Sequence, residues 1–142
     1  MFTIGTFAII FDQQKRALLC HRRDYDIWNL PGGHVEKNES PWQAVIREVK
    51  EEVGLGVEVD RMAGVYSKPE VEQIIFTFIC KITGGKLTLT DEADKIEYFE
   101  FDNIPKNISP NHVERIKDAL EHGEETIFKI QQNYKQEDLE KL

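Results

Sequence analysis

Hydrophobic and polar residues change period along this chain, and the changes mark its elements. Residues 2–11 (Phe-Thr-Ile-Gly-Thr-Phe-Ala-Ile-Ile-Phe) are β-rich and almost continuously apolar, as expected of a strand buried on both faces. Asp12 to Lys15 is a polar turn and Arg16 to His21 resumes as a strand, so the two segments read as a hairpin. After a polar loop at 22–26, Pro31 ends a short apolar run. Gly32 and Gly33 then let the backbone come close to a ligand.

The period next becomes helical. Ser40 is a suitable N-cap, Pro41 suits the first helical position, and Gln43 completes a capping box. Gly54 can end the helix in a left-handed conformation, which predicts a helix over about 41–53. Trp42, Val45, Ile46, Val49 and Val53 fall on one apolar stripe about 100° wide.

Strand-like segments follow at Val57 to Ser67, Gln73 to Ile82 and Lys86 to Thr90. A polar, Pro-containing loop at 68–72 separates the first two, and Gly84-Gly85 reads as a hairpin turn joining the last two. An acidic loop at 91–94 leads into a strand at 95–101. Ser109-Pro110 opens a second helix, with Val113, Ile116 and Leu120 at helical spacing and Gly123 as its stop. Thr126 to Ile130 is open between strand and helix turn, and the last ten residues are polar enough to fray. Strands, a helix, more strands and a helix predict an α/β chain of the α+β kind, with a mixed sheet and helices on its faces. Residues 1–123 read as one domain, and 124–142 as a partly ordered C-terminal extension of that domain.

Composition narrows the functional classes. A chain of 142 residues, 40% of them hydrophobic, can bury one respectable core. No apolar run approaches the roughly 18 residues of a membrane span, and the apolar N-terminus lacks the basic region and cleavage site of a signal peptide. Cys20 and Cys80 lie far apart in apolar runs, as buried free thiols in a reducing cytoplasm would, and they form no zinc motif. A net charge of −8 argues against stable nucleic-acid binding. The short basic cluster His21-Arg22-Arg23 suits the phosphates of a small molecule instead. An acidic protein taking such a substrate normally needs metal ions to mediate the contact.

The chemistry concentrates on the predicted helix. Glu48, Glu51 and Glu52 fall at i, i+3 and i+4, on a face centred roughly 125–130° from the apolar stripe. Like charges at this spacing repel, and the negative end of the helix dipole disfavours them further. A hard divalent cation would relieve the repulsion; a solvated acidic face is the alternative of about equal weight on spacing alone. Arg47, four residues before Glu51, is placed to pair with a carboxylate.

The pattern Gly33-x5-Glu39-x7-Arg47-Glu48-Val49-x-Glu51-Glu52-x-Gly54-Leu55 resembles the signature box of the Nudix hydrolases, with every fixed position filled. The flanking Trp28-x-Leu30-Pro31-Gly32-Gly33 and the later Glu92, Tyr98, Phe99, Phe101, Ile104-Pro105 segment are similar to what such domains carry. The resemblance covers about residues 3–122 and implies an α/β/α sandwich with a mixed sheet between helices. It implies Mg²⁺- or Mn²⁺-assisted hydrolysis of a nucleoside diphosphate linked to another moiety.

The resemblance also assigns roles. Glu48, Glu51, Glu52 and the carbonyl of Gly32 match the family's metal ligands. Arg47 and Glu39 match its orienting residues, with Gly33 and Gly54 as the structural glycines of the box. Glu48 is the first choice for the general base, with Glu51 and Glu52 as the principal ligands. Glu92 is the leading further ligand from a loop, and Glu97 its competitor. Arg22, Arg23, Trp28, Tyr66 and Phe76 are candidates for substrate binding. His34 sits at a variable position of the box and takes no role.

The substrate expected first is a nucleoside triphosphate or its deoxy form, with ADP-ribose, a nucleotide sugar or a dinucleotide as the alternative. Removal of pyrophosphate from RNA 5′ ends is disfavoured by the acidic composition. A non-catalytic nucleotide sensor is disfavoured by the intact set of carboxylates. Homodimer formation is left open.

Overall fold

The computed structural model describes residues 1–142. Eight strands and three helices follow in the order β1 (Thr3–Ile9), β2 (Ala17–Arg22), β3 (Trp28–Asn29), β4 (Gly32–His34), α1 (Pro41–Val53), β5 (Leu55–Lys68), β6 (Gln73–Gly85), β7 (Ala93–Phe99), α2 (Pro110–Glu121), β8 (Ile127–Ile130) and α3 (Gln136–Leu139). A five-stranded mixed sheet has the order β4-β1-β6-β5-β8, and a three-stranded sheet the order β3-β2-β7. β1 runs parallel to β6, and β5 parallel to β8, while β4–β1 and β5–β6 are antiparallel.

The apolar run in β1 and its continuation serves two cores, because successive side chains point to opposite faces. Ala8 and Ile10 join α1 residues Val45, Val49 and Val53 in one cluster, whereas Ile9 joins Trp28, Leu30 and Ile116 of α2 in another. β2 divides the same way, with Leu18 and Cys20 in the first cluster and Ala17 and Leu19 in the second. Helices therefore pack on both faces of the mixed sheet, as the sequence led one to expect.

Helix α1 has the predicted limits. The Ser40 side chain accepts from the Gln43 amide, Gln43 reciprocates to the Ser40 backbone, and Gly54 closes the helix at φ 79°. A side chain there would be strained by that φ and would meet the Lys86 carbonyl oxygen at 2.8 Å. The buried face is shifted towards Ala44 from the stripe that the periodicity suggested. Ala44, Val45, Val49 and Val53 are buried, but Trp42 and Ile46 are 56% and 38% exposed. Ile46 sits at the stripe's edge, whereas Trp42 lies mid-stripe but in the first turn, at the N-terminal end of the helix.

Four strand expectations change. The hairpin of the first two strands is confined to its tip, where Phe11 bridges Ala17 and the Asp12 carboxylate accepts from the Gln14 and Arg16 amides. Beyond the tip β1 and β2 part into different sheets, because β1 has β4 and β6 as its neighbours. Gly84-Gly85 is not a turn: both glycines extend β6 opposite Gly56 and Leu55. Residues 86–90 form no strand. They cross the end of α1 instead, where the Thr88 amide donates to the Val53 carbonyl and the Thr90 hydroxyl to the Glu52 carbonyl, both at 2.9 Å. These contacts satisfy carbonyls that a helix end leaves without partners. Phe101 likewise leaves the predicted strand for a single 3₁₀ turn.

Candidate active site

Helix α1 brings Glu48 and Glu52, and a loop brings Glu92, to the wall of a cavity of about 620 Å³; Glu51, on the same helix, is exposed and does not line it. That volume suits a ligand the size of a nucleotide. Carboxylate oxygens of Glu48, Glu51 and Glu92 lie within 4.8 Å of one another. Glu48 and Glu51 come from one face of α1, and Glu92 from the loop before β7. The Thr90 hydroxyl, which donates to the Glu52 carbonyl, also accepts from the Glu92 amide at 3.2 Å. One side chain thus ties the loop carboxylate to the helix end.

Glu52 lines the same cavity beside Glu48 but lies deeper. Its Oε2 accepts from the Gly32 amide at 3.1 Å and from the Cys20 thiol at 3.6 Å. Burial pushes its carboxyl up to about 8, and the charges of Glu48 and Glu92 push the same way against the help of the Gly32 amide. Glu48 is also raised: burial outweighs the Arg47 guanidinium, and Glu51 adds repulsion. Gly33 gives this carboxylate its room, since a Cβ there would stand 2.7 Å from Glu48 Oε1.

Arg47 links the acidic face to the preceding loop. Its Nη1 donates to Glu48 at 3.0 Å and Glu51 at 3.2 Å, while Nε and Nη2 hold Glu39 at 3.0 and 2.7 Å. Nη2 also donates to the His34 carbonyl, and Glu39 accepts from the Glu36 amide. The hydrogen bonds to Glu39 hold Arg47 firmly in its charged form and draw Glu39 below the usual carboxylate range. Planar, bidentate contact of this kind fixes orientation as well as charge.

An all-oxygen donor set with a crowded, partly buried carboxylate suits a hard divalent ion such as Mg²⁺ or Mn²⁺, which would compensate the mutual repulsion. Glu97 is not part of the group. It is exposed on β7, in register with Leu19.

The other expected residues divide. Arg22 and Arg23 do line the cavity, but both are engaged: Arg22 pairs with Asp24 and covers the Tyr25 ring, and Arg23 donates to the Thr90 carbonyl at 2.7 Å. Trp28, Tyr66 and Phe76 lie away from the cavity. Trp28 is 7% exposed and packs edge-on against Phe99 and His21. Tyr66 is buried, with its hydroxyl donating to Asp118, and Phe76 packs on the first core cluster beside Phe78. Period two puts these rings on the inward faces of their strands.

Several cavity residues carry no local signal in the sequence. Cys20 and Asn29 are at the acidic part; Phe7, Lys68, His112 and Tyr134 are at another. His112 is buried and neutral, because burial and the nearby Arg115 and Lys68 charges oppose its protonation, and its Nδ1 accepts from the Leu30 amide. Tyr134 arrives only because β8 joins the sheet beside β5 and the chain then turns back over the cavity.

Known proteins with similar sequences and folds bear on this site. A model of the NUDIX domain matches residues 1–119. A Bacillus subtilis (strain 168) protein provisionally named 8-oxo-dGTP diphosphatase is 32% identical over 119 residues, covering 83% of this chain and 80% of that one. An ADP-ribose pyrophosphatase of Methanocaldococcus jannaschii is 37% identical over 118 residues, covering 78% of this chain and 69% of its own. The crystal structure of an ADP-ribose pyrophosphatase from Streptococcus suis 89-1591 superimposes with a TM-score of 0.75 at 28% identity, over 90% of this chain and 99% of the other. With the complete box on α1 and the carboxylates gathered at a cavity, the chain belongs to the Nudix family of hydrolases.

Proposed function

We propose that this Nudix hydrolase cleaves the phosphoanhydride of a small nucleotide, a nucleoside triphosphate or its deoxy form, with Mg²⁺ or Mn²⁺ as cofactor. The observation that carries the reading is a cavity lined by Glu48, Glu52 and Glu92, with the exposed Glu51 carboxylate within 4.8 Å of those of Glu48 and Glu92. Glu48, Glu51, Glu52 and Glu92, with the carbonyl of Gly32, are the proposed metal-holding groups. A bound divalent ion would polarise the phosphate oxygens and lower the pKa of the attacking water.

The protein's own groups then have separate tasks. Glu48 is the proposed base: it lines the cavity among the metal-holding carboxylates and is oriented there by Arg47 Nη1 at 3.0 Å. As water oxygen bonds to phosphorus, the anhydride P–O bond breaks and the water's proton passes to Glu48. Arg47, held by Glu39, fixes the direction of Glu48 and Glu51. Residues 124–142 belong to the same functional unit as residues 1–123, a reading supported by the pairing of β8 with β5 and by Tyr134 at the cavity.

ADP-ribose or a nucleotide sugar is the second substrate reading, favoured by the names of the Methanocaldococcus and Streptococcus proteins. Stable nucleic-acid binding is not part of the proposal, since the net charge is −8. No helix is long and apolar enough to cross a membrane, and two buried free cysteines accord with a cytoplasmic setting. The test is a hydrolysis screen with Mg²⁺ over dNTPs, 8-oxo-dGTP, ADP-ribose and nucleotide sugars. Turnover of triphosphates ahead of the others supports the first reading, ADP-ribose ahead of them the second. Binding without any hydrolysis would favour a sensor.

A further inference from the structure

Away from the carboxylates, the cavity changes character. Lys68, at the end of β5, lines it without a carboxylate partner, and the charged group beside it is another cation, Arg115. Arg115 is 1% exposed; its Nε and Nη2 both donate to Gln131 Oε1, and its Nη1 has no acceptor. Two positive side chains therefore stand close together; Glu114 lies near enough to favour the charge on Arg115, but no carboxylate attends Lys68, the one on the cavity wall.

The wall near Lys68 carries flat and apolar side chains, and of its polar neighbours His112 Nδ1 and Asn111 Nδ2 are already engaged by the Leu30 amide and the Gln132 carbonyl. Phe7, whose ring lies 5.3 Å from the Arg115 guanidinium carbon, and the half-buried Tyr134 and Leu139 line the same cavity. Tyr134 is held there by its neighbours. The Gln131 amide donates to the Ser67 carbonyl, Asn111 Nδ2 to the Gln132 carbonyl at 2.7 Å, and the Asn133 amide to Glu70. The chain following β8 is thus fastened across the end of β5, next to Lys68.

A phosphate group is a poor match for this region. It would have one free ammonium to meet and would lose water against Phe7 and Leu139, a cost that needs several strong donors to offset. A planar ring suits it better, since an aromatic face tolerates any base and a lone ammonium can donate to one acceptor on the ring's edge.

We propose that Tyr134 and Lys68 form the base-recognising part of the cavity, with Tyr134 against the ring and Lys68 donating to a ring carbonyl. The inference rests on the nucleotide reading above. It makes the preferred substrate one whose base carries an exocyclic oxygen, such as guanine, ahead of adenine. Adenine places an amino group where guanine has its six-position oxygen, and a lysine ammonium cannot donate to it.

The experiment compares dGTP with dATP in steady-state hydrolysis, and dGMP with dAMP in calorimetric binding, which requires no turnover. In the unmodified protein dGTP and dGMP should be favoured by about tenfold or more, the worth of one charge-assisted hydrogen bond. Lys68→Met should erase that preference chiefly through KM, Lys68→Arg should retain it, and Tyr134→Ala should weaken both bases alike. Circular dichroism on each variant separates these effects from unfolding. A preference for adenine in the unmodified protein, or equal losses on both bases in Lys68→Met, would overturn the proposal. If no nucleotide is hydrolysed yet dGMP binds ahead of dAMP in a Lys68-dependent way, the hydrolase reading falls and the recognition proposal stands.

Discussion

The Thr90 hydroxyl donates to the Glu52 carbonyl at 2.9 Å, across a separation of 38 residues. Because the same oxygen accepts from the Glu92 amide, this contact fixes where the loop carboxylate stands relative to α1. Thr90→Val keeps the shape and removes both hydrogen bonds. Each is worth about 1 kcal/mol. The variant should remain folded but need severalfold more Mg²⁺ for half-maximal activity. Unchanged metal dependence would mean that Glu92 does not act with the helix.

Gly33 gives a second prediction. A methyl group there stands 2.7 Å from Glu48 Oε1, and the side chain, rather than the backbone, is free to yield. Gly33→Ala should therefore move Glu48 and lower kcat by about tenfold or more while the melting temperature changes little. A large drop in melting temperature with normal kcat would show that the close approach serves packing alone.

Arg47 predicts an asymmetry between two cations. Its Nε and Nη2 grip Glu39 together while Nη1 serves Glu48 and Glu51. A lysine ammonium cannot make these contacts at once, so Arg47→Lys should behave nearly as Arg47→Gln in kcat despite keeping the charge. Full activity in the lysine variant would reduce Arg47 to a point charge.

Lys68 predicts a dependence of stability on pH. Burial, with Arg115 adding, pulls its ammonium down to about 8 from the ordinary 10.5. Between those values the unfolded chain holds a proton that the folded one has released, so Lys68 makes stability rise with pH across that window. Below about 8 both states are protonated and the cost of the buried charge is felt in full. Lys68→Met should be more stable than the parent near pH 7 and should lose this upward slope in urea unfolding. An unaltered slope would show that the ammonium is well solvated.

Much of the architecture was legible from local signals. Ser40, Gln43 and Gly54 define α1 because capping is decided within a few residues. The three acids share a helix face for the same reason. What the sequence concealed depends on partners distant in the chain. Strand periodicity puts Tyr66 and Phe76 on one face of their strands, and Trp28 lies in a short apolar run, but none of this says whether that side meets a core or a cavity. Gly84-Gly85 has turn chemistry, yet pairing with Leu55 and Gly56 keeps it in β6. Lys68 meets the cavity through the end of the β5–β6 pairing and Tyr134 through the β5–β8 pairing, neither of which any motif announces.

The account depends most on a divalent ion held by the α1 carboxylates, and Glu52 offers the most direct test. Mg²⁺-dependent nucleotide hydrolysis should be measured for the unmodified protein and for Glu52→Gln, alongside melting of both without metal. Glutamine keeps the shape and can still accept from the Gly32 amide, while removing a buried acid that lies beside Glu48 and Glu92. Turnover should fall by about a hundredfold or more, and the metal-free variant should melt no lower than the parent. Near-normal turnover in folded Glu52→Gln on every accepted substrate would contradict the assignment.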